Sequence, residues 1–405
     1  MAKLAIDADT PERPSLFASW PQFSGDEIDA VGAVLRSGCV NYWTGEQGRQ
    51  FEAEFAKYCG AKKGIALANG TVALELALKG FGIEPGDEVI VPPRTFIATA
   101  SSVALSGGTP VFADVDTDSQ NITAETIRQQ ITPKTKAVIV VHLAGWPCDM
   151  EPIMALAREH RLKVIEDCAQ AHGARYQGKP VGGFGDAAAF SFCQDKIMTT
   201  GGEGGMLLTS DESLWGRSWA YKDHGKSYGL LYQPDSQNDA MFSWVHESFG
   251  TNWRMTEMQS AIGRIQLGKL DQWVAQRKAN AEVLIDRFSR HKALRTPVPG
   301  QGVNHAYYKF YAFIRPEYLK SGWDQSRLID AINAEGAPCF YGSCSEVYLE
   351  KAFTNAGLGQ KKRLPVAKQL GETSLMFLVH PTLSSDDMHR MSDAVDKVLR
   401  EAAVQ

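Results

Sequence analysis

No apolar stretch in this sequence approaches the about eighteen uncharged residues that a membrane-spanning helix needs. The first residues, MAKLAIDADTPERPS, carry no long apolar segment of the kind that directs export. A chain that neither crosses a membrane nor enters a secretory route is therefore expected. Cysteine is scarce and unpatterned. The seven (Cys39, Cys59, Cys148, Cys168, Cys193, Cys339 and Cys344) are odd in number and form no CxxC pair. That argues against a disulfide framework and a zinc ribbon, and no metal site is expected. Reduced thiols fit the cytoplasm, the expected location. An excess of one charge is missing too. Lys and Arg number 42 against 47 Asp and Glu, a net charge of −5, so no global field favours nucleic acid or an anionic membrane. The one tight basic run, Lys361-Lys362-Arg363, reads as a solvated loop or a contact to an anionic substrate. Internal repeats and low-complexity tracts are absent.

What is present is an ordinary globular balance, 44% hydrophobic and 22% charged over 405 residues. From about 64 to 209, short apolar runs alternate with helix-length segments. The runs are GIALAN (64–69), EVIVPP (88–93), TPVFADV (109–115), KAVIVVHL (136–143), KVIEDCA (163–169), AAAFSF (187–192) and GMLLTS (205–210). They are rich in Val, Ile and Phe and alternate little, as strands buried on both faces do. TVALELALKGF and DMEPIMALAREHR between them have helical length. The pattern predicts an α/β fold: a mainly parallel sheet sandwiched by helices, with its binding crevice at the carboxyl ends of the strands. From about 211 to 255 the pattern loosens. Trp215, Trp219, Tyr221, Tyr228, Tyr232, Phe242 and Trp244 lie among Gly, Ser, Asn and Asp, and the stretch reads as long loops. Thr256 followed by Gln259 is a capping box opening a long helix, with Met258, Ile262, Ile265, Leu270 and Trp273 at roughly helical spacing. The expected division is an N-terminal segment (1–20), a large domain ending in the long helix (21–285) and a smaller α+β domain (286–405).

Two blocks, 164–209 and 68–96, hold the candidates for chemistry. Asp167 ends a buried strand, where a carboxylate either binds a ligand or caps a helix. Ser191 ends another strand, and Lys196 follows in the same loop. A lysine facing a crevice can be desolvated into a nucleophile, whereas a lone loop lysine is usually solvated. Gly201, Gly202, Gly204 and Gly205 surround Glu203 but form neither a Walker loop nor GxGxxG after the first strand. Asn69-Gly70-Thr71 opens a helix after a strand, either as an anion site for phosphate or as a plain cap. Phe96, after the next strand, points at the crevice or belongs to the core.

Together these residues resemble one family, the DegT/DnrJ/EryC1/StrS sugar aminotransferases of pyridoxal phosphate (PLP) fold type I. The resemblance runs from about Tyr42 to Gln266 and weakens beyond. It rests on NGT-AL-LAL, PGDEVIVP, TFIATA, PVFADVD, EDCAQAHGA, FSF-x3-K, GGEGG and N-x-RM-x3-Q in this order. It implies Lys196 as the Schiff-base lysine, Asp167 as the acid pairing with the pyridinium nitrogen, and Gln170 at the cofactor's phenolic oxygen. Phe96 is implied as the ring stacked on the cofactor, with Gly70, Thr71 and Ser191 as the phosphate cup. Asn252 matches a phosphate contact reaching in from a neighbouring subunit, so a homodimer with shared sites is implied. The implied reaction moves an amino group from glutamate or glutamine to a keto-sugar, expected to be nucleotide-linked, in amino-sugar, cell-surface polysaccharide or secondary-metabolite biosynthesis. The block around NYWTGE is also similar to scyllo-inosose aminotransferases, which keeps a cyclitol ketone open as acceptor. Relatives that act as dehydratases carry histidine where Lys196 stands, and a non-catalytic relative would not need every cofactor position filled.

Overall fold

The computed structural model describes residues 4–7, 17–232 and 244–404. Seven strands make the central sheet: β1 (Lys63–Leu67), β2 (Glu88–Val91), β3 (Thr109–Phe112), β4 (Thr135–Val141), β5 (Lys163–Asp167), β6 (Ala187–Ser191) and β7 (Gly205–Thr209). Each overlaps one of the apolar runs in the sequence. Their order is β1–β7–β6–β5–β4–β2–β3. All are parallel except β7, which runs antiparallel to both β1 and β6. The cause lies in the connection. Residues 192–204 form a loop with no crossover helix, so the chain can only return antiparallel beside β6.

Alternate residues along the strands feed two cores. Ile65, Leu67, Ala187, Ala189 and Leu207 pack with Leu74, Leu76 and Leu78. Ala66, Ala188, Phe190, Met206 and Leu208 pack on the other face with Phe51 and Phe55. The first set meets helix α2 (Gly70–Gly80), and Phe51 and Phe55 come from α1 (Gln47–Cys59). Burial on both faces explains why these strands alternate so little.

The stretch read as long loops is corrected in part. Residues Glu212–Tyr221 form helix α3, capped by Asp211, whose carboxylate accepts from the amides of Ser213 and Leu214. Trp219 is buried in the core and Trp215 packs beside it. Spacing by helical turns was masked there by the many aromatics. Phe242 lies outside the described residues.

The long helix α4 spans Glu257–Phe288, and its capping box of Thr256 with Gln259 is present as expected. Of the apolar residues at helical spacing, Leu270 lies on the most deeply buried stripe. That stripe runs through Gly263, Gln266, Leu270, Val274, Arg277 and Ala281. Gln266 and Arg277 are buried because they bond backbone around the site: Thr199 N–H donates to Gln266 Oε1 (2.8 Å), and Arg277 Nη1 donates to the carbonyl of Tyr308 (3.3 Å).

A second sheet is wholly antiparallel: β8 (Leu294–Arg295), β9 (Phe310–Ile314), β10 (Cys339–Phe340) and β11 (Ser374–Phe377), in the order β8–β9–β11–β10. Leu284 and Phe288 of α4 share its core with Leu328 and with Met391 and Val395 of α5 (Ser385–Ala402). Contacts tie this region to the main sheet. Val347 N–H donates to the Pro93 carbonyl (3.0 Å), and the Val366 and Ala367 amides donate to Asp114 (2.9 Å each). Among the described residues, no helix is long and apolar enough to cross a membrane.

Candidate active site

The carboxyl ends of β1, β2, β5 and β6 face one crevice. After β1 the chain turns into α2, where Asn69 is the cap and its Oδ1 accepts from Val72 N–H (3.0 Å). Asn69, not Thr71, does the capping, so the Thr71 hydroxyl is left out of that bond. Gly70 lies against the end of β6: a Cβ there would sit 2.6 Å from Ser191 Cβ. Only glycine lets the helix start so close to Ser191. The first amides of α2 and the Ser191 hydroxyl therefore border one small cup at a helix N-terminus, where an anion is favoured.

Asp167 ends β5 and is buried. Its Oδ2 accepts from the Thr99 hydroxyl (2.7 Å) and its Oδ1 from Ala169 N–H (3.1 Å). Burial pushes its carboxyl above the usual range, although these bonds and the charge of Lys196 pull the other way. The Thr99 hydroxyl also meets that of Thr95 (2.8 Å). Asp167 is thus tied to the 95–99 segment that carries Phe96. That ring is 68% exposed, unusual for a large apolar side chain beside a buried carboxylate and suited to a flat partner.

Gln170 follows in the same loop, and its Oε1 accepts from Ala144 N–H (2.8 Å). That bond fixes the carboxamide so that its NH2 is the free donor end. Lys196, half-buried, places Nζ 3.1 Å from Asp195 Oδ1 and 3.5 Å from the Tyr308 hydroxyl. Its carbonyl accepts from Trp20 Nε1 (2.8 Å).

Asn252 is different. It is exposed, and among the described residues its Oδ1 accepts from Arg254 N–H alone, at 3.4 Å. Its neighbour Trp253 bonds Ala68 at the end of β1 (2.9 Å), but within one chain Asn252 makes no hydrogen bond to the cup. Arg363 of the basic run pairs with Glu346 rather than standing free. Thr95, Thr99, Asp195 and Tyr308 went unremarked in the sequence. The first two lie inside TFIATA and so were within reach, whereas nothing local marks Tyr308, which arrives from far along the chain.

Glu166, beside Asp167, points to the opposite face. It accepts from the amides of Gly182, Phe184 and Gly185 and pairs with His142 Nε2 (3.1 Å). His142 Nδ1 accepts from Cys148 N–H (2.9 Å), so Nε2 carries the proton. Glu166, His142 and Cys168 lie close enough to hold a metal ion, but the Glu166 and His142 atoms are engaged in holding the strand connections. Burial alone would raise the Glu166 carboxyl. The His142 bond and the backbone amides outweigh burial and hold it below its usual range.

This donor set suits pyridoxal phosphate: a glycine-floored cup for a phosphate, a buried carboxylate for a ring nitrogen, an open aromatic face, and an amine within the same crevice. The fold and the site define a PLP-dependent transferase of fold type I. Comparison with known proteins places it further. The sequence profile of the DegT/DnrJ/EryC1/StrS aminotransferase family matches residues 21–396. The X-ray structure of an aminotransferase from Psychrobacter cryohalolentis is 56% identical with a TM-score of 0.93, covering 95% of this chain and 99% of that one. GDP-perosamine synthase of Caulobacter vibrioides is 37% identical over 95% of this chain and 99% of its own. L-glutamine:2-deoxy-scyllo-inosose aminotransferase of Streptomyces kanamyceticus is 33% identical over 100% of this chain and 98% of its own. The chain belongs to the DegT/DnrJ/EryC1/StrS aminotransferase family.

Proposed function

We propose that the protein moves an amino group from glutamate or glutamine to the ketone of a nucleotide-linked sugar, with pyridoxal phosphate carried on Lys196. The carrying observation is that Asp167, Phe96, Gln170 and the Gly70–Ser191 cup border the crevice that holds Lys196. Bound there, the cofactor supplies an electron-accepting ring for the carbon that bears the amine. The chain's own residues do the rest. Asp167 keeps the proton on the ring nitrogen, because a buried carboxylate is stabilised by an adjacent N–H⁺. Gln170 offers its NH2 to the ring oxygen. Phe96 covers one ring face and excludes water. The amides of Gly70 and Thr71 and the hydroxyls of Thr71 and Ser191 hold the phosphate. Lys196, when free, moves the proton at the reacting carbon.

A second reading, a cyclitol ketone as acceptor, is favoured by the 2-deoxy-scyllo-inosose aminotransferase matching over the full chain. A panel of keto-sugar nucleotides and scyllo-inosose, offered with glutamate or glutamine and read by mass spectrometry, separates the two. Amination of the inosose with every nucleotide sugar ignored would reject the first reading. A dehydratase is opposed by Lys196 itself.

The working unit in this reading is a homodimer with shared sites, Asn252 serving the neighbouring subunit's phosphate. In support, Asn252 is exposed in the single chain, and Phe249 just before it is 99% exposed, an apolar ring that a partner would cover. Mixed dimers of Lys196→Ala and Asn252→Ala chains test it, given that each homodimer is inactive. With shared sites, one hybrid site collects both defects and the other is intact, so activity returns to about half per hybrid, as two-fold symmetry requires. No rescue means that Asn252 serves its own chain. We further propose a cytoplasmic location, supported by seven free cysteines, and a division into residues 1–20, 21–285 and 286–405.

A further inference from the structure

Lys196 must hold the cofactor at one stage and act as a free amine at another, so the free amine needs a fixed resting place. The structure assigns that place to Asp195 and Tyr308. We propose that this pair is a dock that receives the Lys196 ammonium and aims it, a role resting on the reading of Lys196 as the cofactor lysine. The Asp195 carboxylate is bridged: Oδ1 faces Lys196 Nζ at 3.1 Å and Oδ2 accepts from the Tyr308 hydroxyl. That hydroxyl lies 3.5 Å from Nζ, closing a three-membered ring of contacts. Because the hydroxyl donates to Asp195, its oxygen presents a lone pair to the ammonium.

The backbone is arranged to aim Tyr308. Tyr308 N–H donates to the Ala144 carbonyl (2.8 Å) and Ala306 N–H to that of Gly145 (2.9 Å). Arg277, buried in α4, holds the Tyr308 carbonyl from the other side. The 143–145 turn is itself held by Gln170, so the dock and the cofactor loop share one framework. Asp195 stays ionised. Burial would raise its carboxyl, but the Lys196 charge and the Tyr308 bond hold it below its usual range. The other charged or titratable groups around Lys196 and its two partners are Lys309, whose ammonium lies 4.8 Å above the Tyr308 ring, with His172 and Asp167 near Lys196 and Arg277 near Asp195 and Tyr308. Burial holds both Lys309 and Arg277 below their usual ranges and Asp195 pulls each back up, so Asp195 is the carboxylate that offsets positive charge beside Lys196. Asp195 and Tyr308 are positioning residues, acting through Lys196.

Trace labelling of the cofactor-free protein with acetic anhydride near neutral pH, with each lysine peptide quantified by mass spectrometry, tests the dock without any turnover. Lys196 should label roughly tenfold faster in Asp195→Asn, the change expected when an ammonium loses a paired carboxylate. It should label several-fold faster in Tyr308→Phe, while Asp195→Glu keeps the native rate. Surface lysines should not change. Unaltered Lys196 labelling in both variants, or a rise shared by every lysine, overturns the proposal. Borohydride marking of Lys196 in the loaded enzyme tests the cofactor reading separately, so either can fail alone.

Discussion

Lys196→Ala is expected to lose turnover by about 10⁴-fold or more, the upper range for removing a positioned acid–base group, because in the proposed role the same side chain would also carry the cofactor. The fold should survive. Lys196 is half-buried, its neighbour Asp195 keeps the Tyr308 bond, and Trp20 bonds the Lys196 backbone rather than its side chain. Circular dichroism and a melting curve near the native one should accompany the loss. The variant should still take up pyridoxal phosphate through the cup and Asp167, and borohydride should leave no mark on it. In the native protein, borohydride should place the phosphopyridoxyl group on the peptide containing Lys196. A mark on another lysine, or a Lys196→Ala protein with native turnover, would sink the assignment.

Asp167→Asn should lower turnover on the order of 10²–10³-fold, the range for removing one preorganised electrostatic partner, with little change in fold. An asparagine can accept with its oxygen from only one of the two donors that Asp167 now serves. Its NH2 would then face the other. The hydroxyl of Thr99 is the one that can adapt, since it already shares a hydrogen bond with Thr95 and can rotate to accept. The amide of Ala169 cannot, so the oxygen should stay there. The stability cost should therefore remain below the about 1–3 kcal/mol of an unsatisfied buried donor. What the amide cannot do is hold a positive ring nitrogen. Stopped-flow absorbance should show slow loss of the cofactor's visible band with glutamate, while glutamate affinity stays near native. Near-native rates in that first half-reaction would contradict the role.

Much of the fold was legible because burial writes itself into composition. The seven central strands are short Val-, Ile- and Phe-rich runs between helix-length segments, and each run overlaps a strand. The capping box at Thr256 and Gln259 marked the start of α4. What the sequence hid has physical causes. α3 was obscured because Trp215, Trp219 and Tyr221 pack on a helix among residues common in loops. The buried stripe of α4 takes in Gln266 and Arg277 beside Leu270, because both polar side chains reach backbone groups, and hydropathy does not foresee that. Asp167, Ser191 and Lys196 could be nominated from their positions at and after strand ends. Tyr308 could not, because only the closed fold brings it to Lys196.

The buried carboxylate of Asp167 also makes heat resistance depend on acidity and on loading. Burial raises its pKa above that of the unfolded chain, so the folded state binds the proton more tightly. In cofactor-free protein this residue's contribution is most favourable below the ordinary carboxylate range. It is lost as pH climbs through the raised value. A ligand that brings a positive N–H⁺ to Asp167 binds only the folded chain and reverses that loss, adding stability as its concentration rises. At neutral pH before loading, this one carboxylate should therefore weigh against the folded chain, and a melting temperature that climbs with added pyridoxal phosphate in the native protein, but less in Asp167→Asn, checks it.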